Sequence, residues 1–527
     1  MTPLKSKMTK LLGASVFALC AGWAQAEMVT LHAKTGGTAI QGEILNFDGY
    51  VYTVRTVLGD LVLGANIVTC EGAACPSSEP ALVEFKVAGS RTVTKELLPE
   101  LFMSYADSMN ATVDTTAEDE AFNMYQMNVE DGTDLSVEFV HSNSAMGLSK
   151  LNQNAVQAAF TTRTANTLEQ TTAEISGLGR LRSEEQENVI AYDGLLVVTH
   201  PDNPVRAMSE TNVAQIFSGK LSDWSQLGRA PGPITIYLRE AESSSRELLQ
   251  EVLMTPNREQ IKARVEILQS DAEIAEAVRN DPNGFGLTSF VHRAGVTTLE
   301  IEGVCGIRVP ATHFTIKTGE YPLSRPVYLY KTGAETPEAI QSFQDFITSD
   351  EAQSVIRQAG FVDRAITSEA LNTQGLRVTH AVMREDEAVS MDGTKKMLKL
   401  MSNAKRLSTT IRFDNGSTEL DATDYAELEA LAKMAMSPEY KNTQVYFMGF
   451  SDSVGRADLN QFLALQRAEI VRQALVSRYP ELSDRIKARS VGYGELSPLA
   501  CNETRPGRKV NRRVEVWVHN PAAIAVN

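Results

Sequence analysis

Hydroxyl-bearing residues gather where extended runs give way to helical ones. One such place is Ser90-Arg91-Thr92-Val93-Thr94; another is Ser243-Ser244-Ser245-Arg246, just after an extended run ending at Arg239. A helix N-terminus presents unpaired N–H groups and a partial positive charge, so anions dock there readily. Ser and Thr add O–H donors without a full countercharge, and Arg239 offers a forked contact. Ser142-Asn143-Ser144-Ala145-Met146-Gly147 has the same character. These residue types suit an oxyanion. Ordinary capping competes with that reading: Ser244 and Glu247 fit the S-x-x-E capping box, and Ser90 fits an N-cap.

A second constellation lies near the C-terminus. Gly449-Phe450-Ser451-Asp452-Ser453-Val454-Gly455 forms a polar loop after an apolar run, and Arg467 follows on the next helical stretch. An acid and a base on adjacent elements can grip a zwitterion. Asp452 would take an ammonium and Arg467 would fork onto a carboxylate. The competing reading is a surface salt bridge.

Catalytic motifs are scarce. The sequence has no Gly-x-Ser-x-Gly elbow and no phosphate-cradling P-loop. Ser402-Asn403-Ala404-Lys405 matches S-x-x-K but lacks the companion motifs of that enzyme class. The seven His are scattered without metal-ligand spacing. The chain therefore reads as a binding protein, not an enzyme, and no cofactor or metal is expected.

Composition agrees. With 43% hydrophobic and 22% charged residues, the 527-residue chain is globular and multidomain. Its net charge of −16 argues against a nucleic-acid partner. Lys5, Lys7 and Lys10, the apolar run from Leu11 to Cys20, and Ala24-Gln25-Ala26 form the pattern of a secretory signal peptide over 1–26. Leu19 is too bulky for a lipidation site at Cys20. An exported chain meets an oxidising space, where Cys70 and Cys75 are spaced for a small disulfide loop. Cys305 and Cys501 either stay free or bridge two domains.

The elements that must position these residues fall into parts. Residues 27–78 alternate short apolar runs with turn signals and read as a small β module. From 79 to 372 strands alternate with helices, as in α/β architecture. Residues 373–405 read as a charged, partly helical connector or as a last helix of the preceding domain. Residues 406–520 alternate again. In the last strand Val514, Val516 and Val518 share one face, while Arg513, Glu515 and Trp517 share the other.

Two resemblances sharpen this reading. From about 84 to 372 the chain resembles the phosphate-binding periplasmic proteins of ABC transporters. The match rests on Ala88-Gly89-Ser90, Ile216-Phe217-Ser218-Gly219-Lys220 with Asp223-Trp224, Tyr321-Pro322-Leu323-Ser324-Arg325-Pro326, and Ser342-Phe343-Gln344-Asp345-Phe346. It implies a two-lobed type II periplasmic-binding-protein fold that closes on phosphate or a related oxyanion. The contacts it implies are Ser90, Thr92, the Val93 main chain, Ser144, Arg239, Ser243 and Ser245. Thr161-Thr162-Arg163 supplies no Asp where this family places a proton-accepting carboxylate, and Ser244 stands where it has Gly.

Residues 406–518 resemble the OmpA-like peptidoglycan-binding domain. The match runs through Gly449, Asp452, Gly455, Asn460, Leu463, Arg467, Ala468, Gly492-Tyr493-Gly494-Glu495, Gly507-Arg508 and Asn511-Arg512-Arg513-Val514-Glu515-Val516. It implies an α+β sandwich that holds the diaminopimelate stem of peptidoglycan through Asp452 and Arg467. Asn460 and Ser451 would support the loop, and one of Arg512 and Arg513 would assist. Together the resemblances imply a periplasmic, Gram-negative envelope protein whose partners are an oxyanion, peptidoglycan and an ABC-transporter permease or other envelope protein. The alternative is an envelope scaffold or sensor whose binding domain has lost or changed its ligand.

Overall fold

The computed structural model describes residues 28–34, 39–47, 51–65, 67–76, 82–130, 132–333, 336–383 and 391–519. The expected signal peptide lies outside these residues. The chain divides at Ala81 into two compact units.

The first unit is a five-stranded antiparallel sheet built from Met28–Ala33, Ile40–Phe47, Val51–Thr56, Gly59–Gly64 and Val68–Glu71. Leu31, Tyr52, Val54 and Val68 form its core. Cys70 and Cys75 are joined in a disulfide, as their spacing suggested.

In the second unit, numbering the elements that build the sites, β1 is Val83–Ser90, β2 Leu135–Ser142, α1 Ser144–Asn152, β3 Ala158–Thr161 and β4 Glu187–Thr199. There follow β5 (Thr235–Arg239), α2 (Ser244–Leu249), α3 (Asp271–Asn280), β6 (Gly284–Ser289) and β7 (Ser324–Lys331). These strands belong to one eleven-stranded sheet. The 13-residue β4 is the long joint of that sheet. Its first half pairs antiparallel with β7, and its second half, from Leu195 to Thr199, pairs antiparallel with β6. Almost every residue of β4 is buried, the pattern of a strand covered on both faces. Strands β1, β2 and β3 lie on one side of this joint and β5 and β6 on the other. The result is two lobes joined by β4 and β7. Phe85, Phe102, Phe139 and Phe343 pack in the first lobe. Phe217, Trp224 and Phe285 pack in the second.

Gly89 explains how tightly the first lobe is built. A Cβ there would stand 1.8 Å from the Phe160 carbonyl oxygen, so only glycine lets β1 and β3 pair at this point.

The C-terminal part carries α4 (Gly375–Met383), α5 (Met391–Met401), β8 (Lys405–Arg412), α6 (Ala422–Met436), β9 (Thr443–Phe450), α7 (Ala457–Arg478), β10 (Ile486–Gly492) and β11 (Arg513–His519). Across its sheet the order is Ser368–Ala370, β8, β11, β9, β10. Helices α6 and α7 cover one face, where Val514, Val516 and Val518 meet Leu428, Ala468 and Val471. The other face of β11 carries Trp517 into a second cluster with Phe450, Met397 and Met401. The stretch 373–405, read as a solvated connector, thus supplies helices that close this second face. Its charged residues hid two buried Met, because the apolar face of α5 is narrow.

Candidate functional site

The first candidate site is a cleft of about 200 Å³ between the lobes. Ser90 and Thr92, at the end of β1, line it from the first lobe, with His141 and Asn143 from the end of β2. Arg239, at the end of β5, and Ser243, Ser244 and Ser245, at the start of α2, line it from the second. All the expected hydroxyl clusters therefore converge. Their roles differ from the expectation in detail. Ser243, not Ser244, caps α2: its Oγ accepts from the Arg246 N–H. Glu247, expected to complete a capping box with Ser244, instead pairs across the cleft with Arg163. Ser244 Oγ approaches Ser144 Oγ at 3.3 Å, and Ser144 Oγ also accepts from the Thr162 N–H at 3.0 Å. Ser144 is thus engaged in lobe-to-lobe contact. Val93 buries its side chain in the core of the first lobe.

Arg239 is nearly inaccessible to water. It forks onto Glu240 at 2.9 and 3.0 Å, and its Nη1 stands 3.9 Å from Asp271 Oδ1. Asp271 opens α3 and is fully enclosed. Its Oδ2 accepts from Thr92 Oγ1 at 3.2 Å, whereas Oδ1 has no hydrogen-bond partner among the described residues. Burial pushes this carboxyl up, against the pull of Arg325 and Arg239. Beneath it Arg325 of β7 binds Asp193 of β4 at 2.6 and 2.9 Å and donates to Ser245 Oγ. Burial, followed by Arg91 and Lys95, lowers His141 to about 4, so its ring is neutral at ordinary pH.

Sequence reasoning missed Asp271. The absence of an Asp at Thr161-Thr162-Arg163 pointed to a site without a carboxylate, but the second lobe places Asp271 directly behind Thr92 and Arg239, which line the cleft. No local signal marks it, since helix-opening Asp residues are common caps.

The second candidate site is the loop after β9. Gly449 lets it form: a Cβ there would lie 1.9 Å from the Ala464 carbonyl oxygen, so α7 can press onto β9. Asp452 is buried, and its carboxylate accepts from the Val454 N–H and from Arg512 Nη1 at 2.6 Å. Asn460 amide donates to the Asp452 and Val454 carbonyl oxygens and to Glu495. Arg467, expected opposite Asp452, is fully buried and donates to the carbonyl oxygens of Ser417 and Asp414. Burial, then Arg512, lowers its guanidinium to about 10. Its Nη1 and the Ser451 Oγ are buried without hydrogen-bond partners among the described residues. The direct ion partner of Asp452 is therefore Arg512, while Arg467 is pre-set with one free donor. Arg513 turns to the opposite face and pairs with Glu515.

Ser402, of the S-x-x-K match, donates to the Lys399 carbonyl oxygen. Cys305, Cys501 and Glu503 stand close enough to suggest a metal site, but the two sulfurs are bonded to each other.

Comparison with known proteins assigns both parts. Residues 104–351 match the PBP superfamily domain and residues 412–512 match the OmpA family. The phosphate-binding protein PstS of Borreliella burgdorferi is 25% identical over 186 residues, 34% of this chain and 65% of that protein. The peptidoglycan-binding protein ArfA of Mycobacterium tuberculosis is 37% identical over 110 residues, 21% of this chain and 32% of that protein. Among solved structures, an ABC-type phosphate transport receptor from Vibrio cholerae aligns with 20% identity and a TM-score of 0.40, over 53% of this chain and 99% of its own. The chain thus spans less than two thirds of the length of either curated relative. It joins a periplasmic-binding-protein-like domain to an OmpA-like domain.

Proposed function

We propose that the two-lobed domain closes on phosphate or a related tetrahedral oxyanion while the OmpA-like domain holds peptidoglycan at diaminopimelate. One observation carries the first half. Hydroxyl and N–H donors from both lobes converge around a dry arginine, beside a carboxylate with one unsatisfied oxygen. Ser90, Thr92, Ser243 and Ser245 face the anion, and Arg239 supplies charge. Asp271 Oδ1 accepts the proton of a hydrogen oxyanion, which favours phosphate over sulfate or molybdate. Pre-placed donors in an enclosed cleft supply the binding energy, and no bond is made or broken. The loaded domain would serve an ABC-transporter permease or another envelope protein.

In the second half, Asp452 would exchange Arg512 for the ammonium of the stem peptide, and the free Nη1 of Arg467 would meet its carboxylate. Asn460 holds the loop through the Asp452 and Val454 carbonyl oxygens, and Ser451 through its main-chain N–H, which donates to the Gly494 carbonyl oxygen.

Calorimetry of the full chain with phosphate, sulfate and molybdate tests the oxyanion site. Heat with phosphate is expected, and silence with all three overturns the assignment. That silence would leave the second reading, an envelope scaffold or sensor with a spent cleft. It is favoured by Arg239 already forking onto Glu240 and by Ser243 acting as a cap. Separately, Asp452→Ala should release the protein from purified sacculi, and retention at wild-type levels would remove Asp452 from the contact.

A further inference from the structure

The OmpA-like domain sits on the joint of the clamshell, and it holds the two lobes unequally. Neighbouring residues of β4 show where it lies. Successive side chains of a strand point to opposite faces. Asp193 points to the cleft side, where it meets Arg325 and Ser289. Tyr192 points the other way and donates its hydroxyl to Glu427 of α6 at 2.7 Å. The OmpA-like domain therefore backs onto the joint, behind the cleft.

Its grip on the second lobe is covalent and includes a buried ion pair, beside a cavity of about 170 Å³ lined by Val309, Phe314 and Glu320 on one side and Arg377, Arg406 and Leu499 on the other. Cys305 is bonded to Cys501. Arg406 of β8 is 1% exposed and pairs with Glu320 of the second lobe at 2.5 Å. Arg406 also belongs to a buried cluster with Glu515, Arg377 and Arg513. Burial alone would raise Glu515, but the three arginines hold it well below the usual carboxylate range.

Its grip on the first lobe is a short tether, from Phe361 in the first-lobe core to Ile366 on the OmpA-like core, and a thin, exposed contact beyond it. Arg478 pairs with Glu184, but these side chains are 43% and 40% exposed, which makes the pair weak. Beside them a cavity of about 530 Å³ separates Gln353 and Arg357 of the first lobe from Ala426, Ala430 and Lys433 of α6.

We infer that the second lobe and the OmpA-like domain are one rigid body, that the first lobe is the moving half of the clamshell, and that this cavity is its clearance. Opening the cleft swings the rear of the first lobe toward α6, because cavity and cleft lie on opposite faces of the joint. A wall-held molecule would then exchange its ligand by motion of the first lobe alone. The inference rests on the two-lobed reading but not on the identity of the ligand.

The test uses the full chain without ligand. Paired spin labels read distances from the OmpA-like domain, at Leu459→Cys, to the second lobe, at Ile267→Cys, and to the first lobe, at Leu168→Cys; all three native residues are exposed. The expected result is one narrow distance distribution for the second lobe and a broader one for the first. Removing the disulfide by Cys305→Ser/Cys501→Ser should broaden the former, and Ala430→Trp, which fills the clearance, should narrow the latter. Equal widths for the two lobes, or a broader second lobe, overturn the inference. So does a first-lobe width untouched by Ala430→Trp in protein that melts like wild type.

Discussion

Asp271 and Thr92 are 179 residues apart in the chain, yet the carboxylate accepts the hydroxyl at 3.2 Å. The other oxygen of Asp271 accepts no hydrogen bond among the described residues, the nearest charge being Arg239 Nη1 at 3.9 Å, and a buried carboxylate oxygen without a hydrogen bond is costly. A ligand that brings a proton would satisfy it. Sulfate and molybdate carry none at neutral pH, so the carboxylate would repel them. Asp271→Asn supplies an amide donor in place of that repulsion. It should therefore shift the phosphate-to-sulfate affinity ratio by about 10- to 100-fold toward sulfate, the size of a charge-assisted hydrogen bond of roughly 1–3 kcal/mol. Competition calorimetry checks this, and an unchanged ratio would strip Asp271 of the role. The hydroxyl clusters at 90–94 and 243–246 were legible because strand-to-helix junctions are written locally. Asp271 was not, because only the closing of two lobes puts α3 beside Thr92. The pairing of Asp452 with Arg512 escaped for a related reason. Spacing singled out Arg467, while β11 brings Arg512 alongside β9 from sixty residues away.

Elements were easier to read than contacts. The alternation over 513–518 gave both faces of β11, since the pleat enforces a two-residue period. The helical stretches over 423–436 and 458–478 correspond to α6 and α7. The start of α6 also carries a property that the sequence does not announce. Asp421 and Asp424 cap each other's N–H groups at 3.0 Å, which places two carboxylates side by side. Burial first, then Asp421, raises Asp424 to about 8 from an ordinary value of 3.8. The folded state therefore favours protonated Asp424. Its contribution to stability is fully present below the unfolded value and is lost as pH rises through about 8. Thermal melts should show the OmpA-like domain weakening as pH rises from about 4 to about 8 and levelling off above that. Asp424→Asn cannot ionise, so its midpoint should fall less over the same range. Parallel slopes for wild type and variant would mean that another group titrates.

At the scale of the whole molecule, the sequence resolved into parts but not into their mutual arrangement. Cys305 and Cys501 stand 196 positions apart, and nothing in their local patterns says that they pair. The buried cluster was largely hidden as well: Arg513 and Glu515 share one face of β11, but Arg377 and Arg406 reach them from other elements, and Glu320 joins only when the domains dock. A cross-link closing so long a loop removes unfolded-state freedom worth on the order of 4–5 kcal/mol in the chain-entropy view. The ion cluster adds specificity more than stability, since taking several charges out of water offsets much of their attraction. The disulfide should therefore dominate the coupling. In the oxidised protein the second lobe and the OmpA-like domain should melt together in one calorimetric transition. In the Cys305→Ser/Cys501→Ser double variant that transition should split and its lower midpoint should fall, because each part can then unfold without stretching the other. A single transition at the wild-type midpoint would show that the non-covalent contacts of Arg406 and Tyr192 already suffice to make the two domains one cooperative unit.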